Sequence, residues 1–232
     1  KIHYELDTIE VNLLQLASIS FDVFVGDICR SILNGGKMII CLNDVKLNPE
    51  HLFGLMYHQK ISILEGTPSL LLPLMDYINK ENKDYSFLKI VIFGSDSFNN
   101  VDYNRLKDKF GKDIKIINSY GVTEATIDST YYDGYKDDLE ASTPIGKPFS
   151  NTKIQILDSY GNLVPKGVYG ELYIGGYGLA RGYFNNEILT EEKFIVNPIN
   201  KDEKLYKTGD LARWFIDGNI DYVRVKGSPA ES

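Results

Sequence analysis

One short stretch, residues 118–124, carries several side chains that could bind a ring, a phosphate and a metal ion. An apolar, strand-like run ends here in the polar and flexible sequence Asn-Ser-Tyr-Gly-Val-Thr-Glu. The amide of Asn118 can read the edge of a base, the ring of Tyr120 can stack, and the hydroxyl of Thr123 can donate to a phosphate. Glu124 can hold a hard cation. A simple turn after a strand uses the same residue types, so this stretch alone does not distinguish a binding site from a turn.

Helix and strand patterns alternate along the first 130 residues and would position this stretch. Asn34-Gly35-Gly36 stops one helical pattern, and Asn48-Pro49-Glu50 starts another. Five apolar runs are typical of strands, at 13–20, 38–42, 61–64, 88–93 and 114–117. The run at 38–42 is expected to be a short buried strand. This alternation predicts an α/β fold with a doubly wound, mostly parallel sheet and flanking helices. Ligands bind at the carboxyl ends of such strands.

The pattern changes after a polar loop at 133–143. Short strand-like runs separated by tight turns such as Asp217-Gly218-Asn219 predict an antiparallel β subdomain, a small distorted barrel with one helix at about 187–194. We therefore expect two domains, 1–143 and 144–232.

Composition excludes several classes of function. The net charge of −7, without a Lys/Arg-rich block, argues against nucleic-acid binding. Cys29 and Cys41 lie in apolar runs and are expected to be reduced core thiols, and the histidines share no metal-ligand spacing. No signal peptide or membrane-spanning run is present, which predicts a soluble cytoplasmic protein. Lys1 and the small, polar tail indicate a piece of a longer chain.

Three further stretches could carry chemistry: FDVFVGD at 21–27, GELYIGGYGLARGY at 170–183 and YKTGDL at 206–211. The last of them is expected to end a loop and start a strand. Together with NSYGVTE at 118–124, in this order and spacing, they resemble the adenylation domain of nonribosomal peptide synthetases. That superfamily also contains acyl-CoA synthetases and firefly luciferase. The resemblance covers about residues 13–224, and it implies the second half of the α/β core followed by the β-barrel subdomain.

The resemblance implies an activity and its cofactors. Such a domain uses ATP and Mg²⁺ to form an aminoacyl-adenylate, which passes to the phosphopantetheine thiol of a carrier domain beside a condensation domain. Thr123 would contact the α-phosphate and Glu124 would hold Mg²⁺, which makes them the implied catalytic residues. Asp210 would accept both ribose hydroxyls, although it could also be a turn residue. The implied nucleotide-binding residues are Asn118, Tyr120, Gly121, Asp210 and Arg224.

The resemblance also implies a pocket for the amino acid. Its residues would be Asp22, Val23, Gly26, Glu65, Val91, Phe93, Ser119, Ile127 and Asp128. Asp22 would pair with the substrate α-ammonium, or else act only as a helix N-cap. The carboxylates of Glu65 and Asp128 favour a cationic side chain, ornithine first and lysine second, unless Glu65 faces solvent or pairs with a protein lysine. Phe93 fills space where that pattern has a smaller residue.

Parts of the family pattern are not in this sequence. The phosphate loop would lie before residue 1, and the C-terminal subdomain with its reactive lysine would lie beyond residue 232. We therefore expect little or no turnover from this piece alone. The alternatives are another adenylate-forming ligase, such as an acyl-CoA synthetase or a D-alanine–carrier ligase, and a non-catalytic binding or scaffold remnant. Arg181, inside the glycine-rich motif, is expected either to pack structurally or to be solvated.

Overall fold

The computed structural model describes residues 3–136 and 142–223, so Arg224 lies outside the described residues. The chain divides into two units. The first comprises Lys1–Asn118 and Tyr135–Asp138, and the second comprises Ser119–Gly134 and Leu139–Ser232. The domain boundary expected near residue 143 stays a prediction.

The first unit is built on a parallel sheet. Its strands are β1 (Asn12–Gln15), β2 (Lys37–Ile40), β3 (Ile63–Gly66), β4 (Ile90–Phe93) and β5 (Lys115–Tyr120). Their spatial order is β2-β1-β3-β4-β5, and every pair of neighbours in it is parallel. The apolar side chains of β1, β3 and β4 form the core of this unit. β5 continues past Asn118 into the second unit.

The helices of this unit are α1 (Val23–Ser31), α2 (Asn43–Lys46), α3 (Pro49–Gln59), α4 (Pro68–Lys80) and α5 (Asn100–Phe110). Two of the signals in the sequence coincide with observed ends, whereas α2 was not predicted. The side chain of Asn48 caps α3 by accepting from the backbone N–H groups of Glu50 and His51. Gly35, in the left-handed conformation at φ 74°, ends the short 3₁₀ turn that follows α1.

Helices cover both faces of the sheet. The register of β3 and β4 places Glu65 opposite the residue before Phe93, so these two side chains point to opposite faces. Arg30 of α1 reaches Glu65 on one face. On the other face Phe93 packs 4.4 Å from Phe98, which contacts Tyr103 of α5 at 5.6 Å between ring centroids. The predicted doubly wound sheet is confirmed.

Two expectations about burial are wrong. β2 lies at the edge of the sheet with one neighbour, so Ile40 and Leu42 are exposed rather than buried. Cys29, on the outward side of α1, is also exposed, and Cys41 is half-buried. Apolar runs alone did not distinguish an edge strand from a central one. Among the described residues, no helix has the length and apolar character needed to cross a membrane.

The second unit is antiparallel. Its elements are β6 (Thr130–Tyr132), β7 (Lys147–Pro148), β8 (Thr152–Leu157), β9 (Gly170–Gly176), α6 (Glu187–Lys193), β10 (Phe194–Val196), β11 (Lys204–Trp214) and β12 (Ile220–Val223). β11 pairs with β9, β10 and β12. The predicted antiparallel β subdomain is confirmed. The YKTGDL motif was expected to start a strand, but it lies inside β11, whose register shifts between Lys207 and Leu211.

Candidate functional site

A bulge in β11 presents Asp210. Gly209 has φ 82°, a backbone conformation that is strained for residues with a side chain. It lies where the pairing of β11 with β9 is interrupted. The hydroxyl of Thr208 donates to the carbonyl of Leu172 at 2.7 Å and accepts from the backbone N–H of Asp210 at 3.0 Å. The sequence Thr-Gly-Asp therefore fixes the backbone from which this carboxylate projects.

Asp210 and Tyr120 meet, although 90 positions separate them in the chain. The phenol of Tyr120 donates to Oδ2 of Asp210 at 2.7 Å, and its ring packs 5.0 Å from the ring of Tyr222. Burial, and then the charge of Asp210, raise the pKa of Tyr120 well above its ordinary value. Tyr120 therefore stays a neutral donor that orients the carboxylate. Both residues were predicted for nucleotide binding, but the bond between them was not foreseen.

The loop after β5 is tightly folded on itself. A Cβ on Gly121 would lie 1.6 Å from the carbonyl oxygen of Ile127, so only glycine fits there. Thr126 and Ile127 both have positive φ, 64° and 69°, which is strained for side chains of this kind. Gly121 was predicted as a nucleotide-binding residue, and the structure gives it this backbone role. Ile127 and Asp128, predicted for the amino-acid pocket, follow directly in the same loop and are half-buried.

Two tyrosines hold Glu124. The hydroxyls of Tyr183 and Tyr206 donate to its Oε1 at 2.6 Å and 2.9 Å, and the two hydroxyl oxygens lie 3.2 Å apart. Burial, followed by the hydrogen bond to Glu124, raises the pKa of Tyr183 to about 12. Burial and then the bond to Tyr183 also raise the pKa of Tyr206. Thr123 beside Glu124 is exposed.

The glycine-rich motif packs against this loop. The backbone N–H of Ala180 donates to the carbonyl of Glu124 at 2.8 Å, and the hydroxyl of Thr126 donates to the carbonyl of Gly178 at 2.6 Å. Arg181 itself is exposed. The motif thus reaches the candidate metal ligand through its backbone and through Tyr183. Sequence reasoning missed both tyrosines, and the only signal for them was their position at the ends of two motifs.

In the first unit, Asp22 is the residue before α1. Its side chain makes no capping hydrogen bond, so the N-cap alternative fails. Its Oδ2 is shielded from solvent and has no hydrogen-bond partner among the described residues. A shielded carboxylate oxygen is costly unless a donor satisfies it. The predicted partners on this helix are Val23, half-buried, and Gly26, buried.

Glu65 already has a partner. Both of its oxygens accept from the guanidinium of Arg30, whose Nη1 also lies 3.7 Å from Oδ1 of Asp27. The residues Glu65, Arg30 and Asp27 are 6%, 9% and 1% exposed. The alternative of a protein counter-ion is therefore the observed one, with arginine in place of lysine. Asp27 and Arg30 were missed, although their positions one turn apart on the helix that follows Asp22 were a usable signal.

The remaining predicted pocket residues lie in different surroundings. Val91 and Phe93 are fully buried, and Phe93 packs on the face of the sheet opposite Glu65. Asn118 is buried at the end of the part of β5 that belongs to the first unit, and Ser119 is buried in the second. The structure therefore brings Asp22, Val23 and Gly26 together at the start of α1 and does not bring Phe93 to Glu65.

The described residues contain no cluster of three or more His, Cys, Asp or Glu side chains that could hold a metal ion. Mg²⁺ in phosphate sites is usually bound by one or two carboxylates and by substrate phosphate oxygens. Glu124 fits such a site, because Tyr183 and Tyr206 hydrogen-bond only to Oε1.

A parallel α/β unit and an antiparallel unit with two anchored carboxylates have the architecture of an adenylate-forming domain. The chain belongs to the AMP-binding enzyme family, whose model matches residues 3–184. The family predicted from the four motifs is confirmed.

Known proteins place the chain more narrowly. It is 53% identical to bacitracin synthase 2 of Bacillus licheniformis over 95% of this chain and 9% of that protein. It is 50% identical to gramicidin S synthase 2 of Brevibacillus brevis over 95% of this chain and 5% of that protein. The nonribosomal peptide synthetase FmoA3 in its AMPPNP-bound form superposes with a TM-score of 0.82 at 25% identity, over 92% of this chain and 23% of that one. The chain thus spans less than a tenth of the two curated relatives.

Proposed function

We propose that this chain is part of an adenylation domain that activates an amino acid with ATP for nonribosomal peptide synthesis. The observation that carries the proposal is the shielded Oδ2 of Asp22, which has no hydrogen-bond partner among the described residues. An α-ammonium group would satisfy it with both charge and donors, whereas a fatty or aromatic acid has no such group. Asp22 therefore favours an amino acid over the substrates of acyl-CoA synthetases.

The second unit supports the nucleotide part. Asp210 has two carboxylate oxygens for the ribose hydroxyls, and Tyr120 fixes its orientation. Glu124 would hold Mg²⁺ and Thr123 is exposed where it could donate to a phosphate. Bound Mg²⁺ would offset the negative charge that gathers when a carboxylate attacks the α-phosphate. That FmoA3 binds AMPPNP supports the same assignment.

The side chain of the substrate is a separate question. Asp27 and Glu65 are two buried carboxylates beside one guanidinium, that of Arg30. The side chain of a basic amino acid such as ornithine would bring a second cation to them. If Arg30 alone serves both acids, a neutral side chain is preferred. We propose a basic amino acid as the substrate, and preference for a neutral one would contradict this part of the proposal.

Titration calorimetry of the chain with amino acids tests both parts. We expect ornithine to bind more tightly than norvaline, which has the same number of carbon atoms but no side-chain amine. Asp22→Asn should weaken ornithine binding at least about 30-fold, because a buried charge pair is worth about 2 kcal/mol or more. Asp44→Asn, at an exposed position on α2, is the control and should change nothing.

Each contrary outcome has a definite meaning. Tighter binding of norvaline would replace the basic substrate by a neutral one. If Asp22→Asn binds ornithine and norvaline as tightly as the unchanged chain does, the amino-acid proposal is wrong and another adenylate-forming ligase is favoured. A chain that binds neither ATP nor any amino acid would be a scaffold remnant.

The wider assembly is proposed from the relatives alone. Bacitracin synthase 2 and gramicidin S synthase 2 are far longer than this chain. We propose that the adenylate formed here passes to a phosphopantetheine thiol on a carrier domain of the same synthetase, beside a condensation domain.

A further inference from the structure

Glu124 is held by two phenols that belong to different motifs. Tyr183 closes the glycine-rich motif and Tyr206 opens the YKTGDL motif, 59 and 82 positions away from Glu124. Both hydroxyls donate to the same atom, Oε1, and they also contact each other at 3.2 Å. Three oxygen atoms thus form a closed triangle at one end of the carboxylate.

This arrangement has a geometric consequence for Glu124. A glutamate side chain has three rotatable bonds, and two donors on Oε1 fix both its position and the plane of its carboxylate. No described residue donates a hydrogen bond to Oε2. One oxygen is therefore used for anchoring, and the other accepts no hydrogen bond from a described residue. Mg²⁺ in phosphate sites is usually bound via one or two carboxylates.

Backbone contacts fix the positions of Tyr183 and Tyr206. A Cβ on Gly182 would lie 2.4 Å from Cγ2 of Thr190, so glycine is needed for the chain to pass. The next residue, Tyr183, is then fixed by its N–H, which donates to Oγ1 of Thr190 at 2.9 Å. Tyr206 lies in β11 between Ile174 of β9 and Phe194 of β10.

We infer that Tyr183 and Tyr206 are positioning residues that hold Oε1 of Glu124 so that Oε2 is presented to Mg²⁺. The inference rests on the proposed function, because it assumes that Glu124 is the ligand of the metal that accompanies ATP. It assigns a task to the ends of two motifs. The partners that orient metal ligands are typically worth 10–100-fold in metal affinity.

The test measures ATP binding by calorimetry across a range of Mg²⁺ concentrations. Tyr183→Phe, Tyr206→Phe and the double variant should each raise the Mg²⁺ concentration needed for tight ATP binding, the double variant by about 10–100-fold. ATP binding without Mg²⁺ should stay unchanged. A merely structural role would weaken ATP binding with and without the metal alike.

A matched control exists in the same unit. The hydroxyl of Tyr173 donates to Glu171 at 3.0 Å, a tyrosine–carboxylate pair outside the triangle. Tyr173→Phe should leave the Mg²⁺ dependence unchanged. Circular dichroism and thermal unfolding of each variant check folding, and either single variant suffices if the double variant is unfolded.

The outcomes separate the inference from the proposed function. If the unchanged chain binds ATP with Mg²⁺ and the phenylalanine variants do so equally well, the positioning role is wrong and the proposed function stands. Equal loss with and without Mg²⁺ also overturns the positioning role. If the unchanged chain binds neither ATP nor Mn²⁺, which serves as a direct metal probe, both are overturned.

Discussion

Arg30 and Glu65 are a buried ion pair whose members neutralise each other inside the first unit. Taking charges out of water is costly, so removal of Arg30 leaves the buried carboxylate of Glu65 without this cation. This separates the pair from the exposed pair formed by Arg105 and Asp76. The two pairs have the same chemistry but different surroundings.

Arg30→Met should lower the free energy of unfolding by about 3–5 kcal/mol, because Glu65 then stays buried without its partner. Arg105→Met, the control, should cost no more than about 1 kcal/mol because its ion pair is exposed. Denaturant unfolding of both variants measures the difference. Adding Glu65→Gln to Arg30→Met should recover part of the loss, and equal losses for the two single variants would contradict the assignment.

The raised pKa of Tyr183 predicts that the folded state loses stability at alkaline pH. The pKa of Tyr183 rises from about 10 in the unfolded chain to about 12 in the folded one. Between these values the unfolded state releases the proton that the folded state keeps, so stability falls as pH rises from about 10 to about 12. Unfolding measured across this range should show the fall, and Tyr183→Phe should make it shallower. A stability independent of pH there would count against the folded-state pKa.

At the scale of elements, the loop after β5 depends on one glycine. The backbone at Ile127 and Asp128 approaches Gly121 so closely that a Cβ would overlap it. The sequence pattern predicted a loop here but not its closed shape, since the shape follows from two consecutive left-handed residues that local propensity disfavours. Such strain persists only where the surrounding contacts determine the backbone.

Gly121→Ala should destabilise the second unit by about 1–3 kcal/mol, because the loop must open to admit the methyl group. Gly54→Ala is the matched control. Gly54 lies in α3, and apart from its chain neighbours and the nearby backbone of that helix no atom lies within 4 Å of the position that a Cβ would occupy. Alanine there should therefore stabilise the helix by about 0.5–1 kcal/mol. Thermal unfolding of the two variants should therefore shift in opposite directions, and shifts in the same direction would contradict the close approach.

Over the whole molecule, the elements with strong local signals could be predicted from sequence. Asn48 with Pro49 located the start of α3, and Gly35 the end of the turn after α1. The burial of β2 could not be predicted, because it depends on which strand lies at the sheet edge. The same limit applies to the contacts of the site residues, because these contacts also depend on the tertiary fold. Motifs indicated Glu124 and Glu65, but their contacts with Tyr206 and Arg30 are long-range, and no local pattern shows which of these side chains meet.

The distance along the chain between Glu124 and Tyr206 also sets an order of events during synthesis. Tyr206 is made 82 residues after Glu124. At typical rates of about 5–20 residues per second, roughly 4–16 seconds pass between the two. For that interval the loop exists on the ribosome without one of the groups that holds its carboxylate. A nascent chain arrested before Tyr206 can therefore have the loop sequence complete and still lack the anchored carboxylate.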